Sequence, residues 1–445
     1  MIELLSAILS LLLTWAVLFL IFAGLGLLVH RALGSRIECA EDWLTRFWIG
    51  WAAVIAILQV WHLFLPVGWP AFVLIAVIGI AGLLWNAQDI WRWAQTRFVW
   101  KLILGSFLLI PAIWLALRAI LPPLVYDSGL YHLSAVRWAA SYPIVPGLGN
   151  LHGRLAFNNS YFLYVAMLEI GPWAGRSYHV ANGLLFWVLF AQILLSGFNL
   201  LDVRNGWQTR DLFHALLLAP VVYQSRDYYV SSPYPDPVIF ILGVVLTSQL
   251  ITLFSQQVPY QHKETGKVLA IITTASIGIT VKTSFVVFGS ISAGLALLLG
   301  LIGHRQDRVK ARRTLVWAVT AATAILLPWM VRGVILSGYV AYPSTIGAFP
   351  VEWRIPQPAV IDAANWIRSW ARAPGIHWSA VLGNWDWFSP WAYNTLKAYF
   401  DVLIPFLLAI GSSLLIFPLR LVRIRDSQAI QWAILAPALV NLAFW

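Results

Sequence analysis

Residues able to do chemistry are sparse in this chain, and they bunch in a few polar stretches. The richest is Leu121-Pro-Pro-Leu-Val-Tyr-Asp127-Ser-Gly-Leu-Tyr131-His132-Leu-Ser134-Ala-Val-Arg137-Trp138, where a carboxylate follows two prolines at the head of an amphipathic pattern. On a helix, Tyr131, Ser134 and Trp138 would continue the face of Asp127 at i+4, i+7 and i+11. Two readings of Asp127 stand side by side. It is an N-cap accepting backbone N–H bonds, which contributes about 1 kcal/mol, or a general base facing an acceptor hydroxyl. His132 reads as a hydrogen-bonding residue at a membrane interface.

Downstream, Tyr142-Pro-Ile-Val-Pro-Gly-Leu-Gly-Asn150-Leu-His152-Gly-Arg154-Leu-Ala-Phe-Asn158-Asn159-Ser160 sets an imidazole, a guanidinium and several amides among turn residues. Such a donor set suits a phosphate or a sugar, so His152, Arg154 and Asn158 are candidate binding residues. Arg154 has two readings, a bidentate partner of a lipid phosphate and an ordinary loop salt bridge. Arg226-Asp227-Tyr-Tyr-Val-Ser-Ser-Pro-Tyr-Pro-Asp236-Pro237 adds two carboxylates. Asp236 before Pro237 has the form of an N-cap and an N1 proline, and Asp227 can pair with its neighbour Arg226. Lys282 and Arg332 are cations at the edges of apolar runs. Each either snorkels to water or meets an anion such as a phosphate. Ser337-Gly-Tyr-Val-Ala-Tyr342-Pro-Ser opens the last polar stretch and supplies Tyr342 as a further candidate. Trp353, Trp366, Trp370, Trp378, Trp385, Trp387 and Trp391 follow; aromatic faces of this kind stack on sugars or anchor helices to headgroups.

The elements that must position these groups are membrane helices. Apolar residues make up 60% of the chain and charged residues 11%, with a mean hydropathy of +0.77. That balance cannot cover a water-facing globule. Apolar runs near span length recur about a dozen times: Leu4–Val29, Phe47–Leu65, Trp69–Trp85, Leu102–Leu121, Tyr178–Phe198, Leu212–Tyr223, Val238–Phe254, Val268–Val281, Ser284–Ile302, Leu315–Val331, Val402–Leu419 and Ala429–Trp445. The expected fold class is therefore all-α, a polytopic bundle of about 12 transmembrane helices. The first run lacks a basic n-region and a cleavage site, so it reads as a retained span. The last stays apolar to Trp445, so the chain is expected to continue beyond it.

Basic residues set the expected orientation. Arg31, Arg36 and Arg46 follow the first run, Arg92, Arg97 and Lys101 the third, and Arg204 and Arg210 the fifth. Lys263, Lys267, Arg305, Arg308, Lys310, Arg312, Arg313, Arg420, Arg423 and Arg425 then recur on the same side. By the positive-inside rule that side is cytoplasmic, which places the N-terminus and the long segments 122–177 and 333–397 outside. The net charge of +11 is spread over these turns, not gathered on one face, so nucleic acid is not an expected partner. The lone Cys39 excludes an intramolecular disulfide and reads as an inert thiol.

The carboxylate just after a span, heading a long first outer loop, resembles the GT-C superfamily of membrane glycosyltransferases. Within it, Asp127-Ser-Gly-Leu-Tyr-His, Val145-Pro-Gly-Leu-Gly-Asn-Leu-His-Gly-Arg-Leu-Ala-Phe-Asn and Ile335-Leu-Ser-Gly-Tyr-Val-Ala-Tyr-Pro-Ser resemble a poorly characterised bacterial branch. The resemblance implies a GT-C-like domain over 102–445; the three-span extension over 1–101 that precedes it departs from the family pattern. It implies transfer of a sugar from a polyprenyl-phosphate donor to a glycan, lipid or protein acceptor on the extracytoplasmic face of the inner membrane, with Asp127 as catalytic base. Asp127 lacks the adjacent second acid that many members carry, which favours transfer without a metal or other cofactor. The competing expectation is a non-catalytic transporter or assembly factor for lipid-linked saccharides. Charges crowding the ends of the spans, not their middles, favour the enzyme.

Overall fold

A computed structural model describes residues 2–32, 40–95, 98–201, 206–226, 228–255, 264–419 and 432–444. Cys39, Asp227, Arg36, Arg97, Arg204, Lys263, Arg420, Arg423 and Arg425 lie outside the described residues. Among those described, regular structure is helical apart from isolated bridge positions, at Trp207 and between Tyr339 and Ala348.

The first helices are α1 (Ile2–Ala32), α2 (Ala40–Trp61), α3 (Trp69–Trp85), α4 (Ala87–Gln95) and α5 (Phe98–Ala119). A long connection follows, with a π turn over Ser128–His132, α6 (Leu133–Ser141), α7 (Leu148–Leu151), a 3₁₀ turn over Gly153–Ala156 and α8 (Tyr161–Met167). Next come α9 (Tyr178–Leu201), α10 (Thr209–Leu216), α11 (Leu218–Gln224), α12 (Tyr228–Ser231), α13 (Pro235–Phe254), α14 (Glu264–Val281), α15 (Val286–Gly303) and α16 (Arg308–Ser337). A second long connection holds α17 (Gln357–Arg372), α18 (Trp378–Val381) and α19 (Phe388–Leu396), before α20 (Ile404–Leu419) and α21 (Ala436–Phe444).

Some of the helices, α3 and α15 among them, carry their apolar bulk outward. In α3 the buried residues are Ala71, Ile75, Gly79 and Gly82, while Val73, Val77, Ile80 and Leu84 are exposed. In α15 the buried set is Gly289, Ser292, Ala296 and Gly300, with Leu298 and Ile302 exposed. A helix in water buries its large apolar side chains; these bury small ones and offer the large ones to their solvent, as a helix in lipid does. Small residues also let backbones touch: a Cβ on Gly24 would lie 2.1 Å from the carbonyl oxygen of Gly79, and one on Gly82 would lie 2.1 Å from that of Gly24. α1 and α3 therefore meet at a contact that larger side chains would pry apart.

Six described helices are long and apolar enough to cross a membrane: Glu3–Arg31, Trp43–Trp61, Tyr178–Leu201, Pro235–Phe254, Thr283–Gly303 and Arg308–Ser337. A seventh arises if α3 and α4, bent by 63°, count as one span. Several of the remaining apolar runs form shorter helices, Ile103–Ala119, Thr265–Val281 and Ala433–Ala443. The run Leu212–Tyr223 breaks at Leu217, between α10 and α11. One hydrophobic core joins Trp15, Phe22, Trp51 and Ile75 of α1–α3 to Leu115, Tyr164, Leu184 and Val245, so the first helices pack into the same core as those after residue 102.

Hydrogen bonds gather the termini of eight helices, α2, α3, α5, α6, α9, α13, α14 and α16, at one end of the molecule. Val67, leading into α3, donates to Ala139 O in α6 (2.8 Å), and Ile144 donates to His62 O just past α2 (2.9 Å). Gly147 donates to Ile335 O in the last turns of α16 (2.8 Å), and Ser160 donates to Thr280 O at the end of α14 (3.0 Å). Ser231, just before α13, donates through its hydroxyl to Pro122 O just after α5 (3.0 Å). Asn182 in the first turns of α9 donates to the carbonyls of Tyr229, Ser232 and Tyr234 at 2.8–3.0 Å. An amide has two N–H bonds, so three carbonyls share them and the turn before α13 is held tightly.

Candidate functional site

The polar loop after α5 folds back across this end. Asn158 donates to Trp329 O at 2.5 Å, and the Trp329 indole donates to Asn158 O at 2.8 Å. That reciprocal clasp sits one turn before Arg332 and fixes the loop against α16. On the other side, the Ser160 hydroxyl lies 2.7 Å from that of Thr280, two residues before Lys282. Two consecutive turns of sequence thereby bring Arg154 and Phe157 between the ends of α14 and α16.

Asp127 is held by a salt bridge, not by a cap. Arg154 Nη1 donates to Asp127 Oδ1 at 2.7 Å, and the Asp127 side chain makes no bond to the backbone N–H groups that follow it. This replaces the N-cap reading. The face expected from an α-helical spacing is also altered, because residues 128–132 form a π turn, in which the Tyr131 and His132 rings lie 4.3 Å apart. Single π turns often occur at functional sites. Burial, and then the charges of Asp127 and Asp236, push the Tyr131 hydroxyl well above the usual phenol range. The Arg154 guanidinium lies 5.6 Å from the centre of the Tyr131 ring, a cation–π distance.

Asp236 likewise departs from the cap expected of Asp-Pro. Tyr234 occupies the N-cap position and Asp236 lies in the first turn of α13. Its carboxylate accepts from Tyr234 Oη at 2.8 Å and from the Lys282 ammonium. Burial, followed by the Asp236 charge, raises the Tyr234 hydroxyl above the ordinary phenol range. Both ion pairs are half-exposed, with side chains 36–42% accessible.

His132 is not the interfacial hydrogen-bonding residue expected of it. It is fully buried, and neither ring nitrogen has a partner. Its imidazole stacks beside Tyr234 at 6.1 Å and lies 5.2 Å from the Phe162 ring. Burial pushes it down to about 3, against a smaller upward pull from Asp236, so it is neutral at physiological pH. A neutral imidazole still owes one donor and one acceptor.

Beyond Arg154 lies a cavity of about 40 Å³ lined by His62, Arg154, Asn158, Asn159, Phe162 and Arg332, among others. Arg332 is 4% exposed, and its Nε and Nη1 have no partner. Asn158 Oδ1 and His62 Nδ1 are also buried and unpartnered. His62 Nε2 donates to Tyr142 O at 3.1 Å, which leaves Nδ1 as the acceptor. Burial, reinforced by the Arg332 charge, takes His62 down to about 3. Two arginines thus line one small space, and no carboxylate among the described residues pairs with Arg332.

The remaining candidates fall around this centre. Tyr342 is buried and its ring lies 5.8 Å from that of Phe157, which is 5.9 Å from Tyr131. Exposed His152 accepts the Arg154 backbone N–H at 3.3 Å and caps the 3₁₀ turn that positions Arg154. His62, Asn182, Tyr234 and Phe162 were not singled out by sequence, although a histidine and an asparagine inside apolar runs are the signal that finds such groups. Among the described residues, no three His, Cys, Asp or Glu side chains group as metal ligands.

Long apolar helices, several with apolar bulk turned outward, define a polytopic helical membrane protein, with a polar pocket under a long connecting loop. The chain belongs to the family described as "Domain of unknown function (DUF8201)", which matches it over residues 8–445. No curated protein and no solved structure matches it.

Proposed function

We propose that the chain is a membrane glycosyltransferase that moves a sugar from a polyprenyl-phosphate donor to an acceptor hydroxyl on the extracytoplasmic face. The observation that carries this reading is the meeting of Asp127 and Arg154, Asp236 and Lys282, and buried Arg332 at one end of the helices. Asp127 takes the acceptor proton, the acceptor oxygen bonds to the anomeric carbon, and the bond from that carbon to the phosphate oxygen breaks with inversion. The phosphate leaves with the electron pair, and basic side chains balance its charge. Asp236 orients the acceptor. Arg31, Arg210, Arg308, Arg312 and Arg313 stand at the opposite end, which supports an orientation with that end cytoplasmic.

The test is transfer from a panel of radiolabelled polyprenyl-phosphate sugars by the purified chain in nanodiscs. Asp127→Asn is expected to lower transfer about 10²- to 10⁴-fold, the usual contribution of a positioned base. Equal transfer by both proteins would remove Asp127 from the mechanism. Absence of transfer from every donor would return the chain to the transporter or assembly-factor reading.

A further inference from the structure

The cavity between Arg154 and Arg332 is lined by buried polar groups. Arg332 is almost wholly buried, two of its nitrogens bond to nothing, and Asn158 and His62 add buried polar atoms on the same walls. A buried cation without an anion is costly and calls for a counter-charge. Paired guanidinium groups select a planar or tetrahedral oxyanion. At about 40 Å³ the space holds about three water-sized atoms, by the 10–15 Å³ that each needs. The apolar walls from Phe157, Phe162 and Leu336 suit a group that arrives attached to something greasy.

Arg154 belongs to two sites at once. It lines this cavity, yet one of its Nη atoms is bonded to one oxygen of Asp127. That single bond is half-exposed and lacks the two-point grip of a forked arginine–carboxylate pair, so an oxyanion in the cavity can compete for it. We propose that the Arg154–Arg332 cavity binds the phosphate group of a phosphate ester, and that its occupation draws Arg154 from Asp127 and so releases the carboxylate. The release gives Asp127 a role only on the glycosyltransferase reading above, where it makes the donor bind before the base is free. Asp127 is then a latch as well as a base, and an enzyme without its donor keeps its base engaged.

Linkage makes the latch measurable without any transfer. If phosphate and Asp127 compete for Arg154, then removing the carboxylate charge strengthens phosphate binding by the coupling factor, about 5-fold or more. Inorganic phosphate and farnesyl phosphate are titrated by calorimetry into the full chain in detergent micelles. Asp127→Asn should bind them more tightly than wild type, whereas Arg332→Gln and Arg154→Gln should each weaken binding about 10-fold. In the Arg154→Gln background, Asp127→Asn should bring no gain.

A gain that persists without Arg154 would overturn the latch, because it would mean plain repulsion through space. Unchanged or weaker binding by Asp127→Asn would overturn it too. Arg332→Gln probes the cavity floor, and half-exposed Arg154 gives a second variant should the buried one fold poorly; unchanged binding by either overturns the site. Either order of affinities supports the site, tighter farnesyl phosphate marking a lipid-borne group and equal affinities a soluble one. A latch that passes these titrations in a chain that transfers no sugar would leave the site standing and remove only the glycosyltransferase reading.

Discussion

The two ends of the helices treat cations in opposite ways. At the end away from the site, Arg31 donates to Trp85 O at 3.1 Å and Asn86 Oδ1 at 3.3 Å, with its guanidinium 5.3 Å from the Trp85 ring centre. Arg210 pairs with buried Asp211 at 3.1 Å, and Arg308, Arg312 and Arg313 line a shallow surface groove. At the site end, the rim holds two half-exposed ion pairs while the floor beneath them holds Arg332, His62 and His132 with unpartnered nitrogens. Satisfied charges anchor helices to their surroundings. Unsatisfied buried ones weaken the fold, and that weakness persists where a ligand uses it.

The largest test of this contrast is acid. His62 and His132 are both held near 3 by burial, below the ordinary histidine value of about 6.5. Between those two values the unfolded chain binds protons that the folded chain refuses, so stability is complete above about pH 6.5 and falls as pH drops toward 3. Each histidine should remove about 2 kcal/mol between about pH 6.5 and 5, at about 1.4 kcal/mol per pH unit. Thermal unfolding in detergent across that range should show the midpoint falling, and His132→Phe should flatten the slope by about a third, because burial also holds His214 near 3. An acid response unchanged in that variant would mean that His132 meets water in the folded protein.

Next in size is a reversal of sign between the two ends. Arg332→Met removes a buried charge that has no counter-ion and keeps most of the volume, so it should stabilise the chain by about 1–4 kcal/mol, the range seen when apolar groups replace buried ionic ones. It should also relieve the depression of His62, whose second cause is the Arg332 charge. Arg31→Met removes two hydrogen bonds and a ring contact and should destabilise by about 1 kcal/mol. Midpoints that move the same way for both variants would show that Arg332 has a partner in the folded protein.

The helical membrane character was legible because apolar runs and basic turns alternate along the chain, and the polar loop advertised Asp127, Arg154 and Asn158 through residue type. Several other features were not. Asp-Pro at 236–237 mimics a cap, but Pro235 starts α13 one residue earlier and leaves Asp236 free to meet Lys282. A spacing of 3.6 cannot foresee the π turn at 128–132. Nothing local links His62 to Arg332, or Asn182 to Tyr234; those contacts depend on which helix ends adjoin. Apolar run length also hides whether a run is one straight helix, as Leu212–Tyr223 shows by breaking into α10 and α11.

The smallest expected effect lies at the rim and guards the contrast from the other side. Lys282 and Asp236 touch, yet their side chains are 42% and 40% exposed. Exposed pairs contribute between about 0 and 1 kcal/mol, because water already solvates both partners. Lys282→Gln should therefore shift the unfolding midpoint by less than the equivalent of about 1 kcal/mol, and raising salt from about 0.15 M to 1 M should shrink even that, since the screening length falls from about 8 Å to 3 Å. A loss of several kcal/mol that salt does not touch would place the pair in a dry environment. The rim would then be part of the buried floor, and the division between reversible pairs above and stranded charges below would no longer hold.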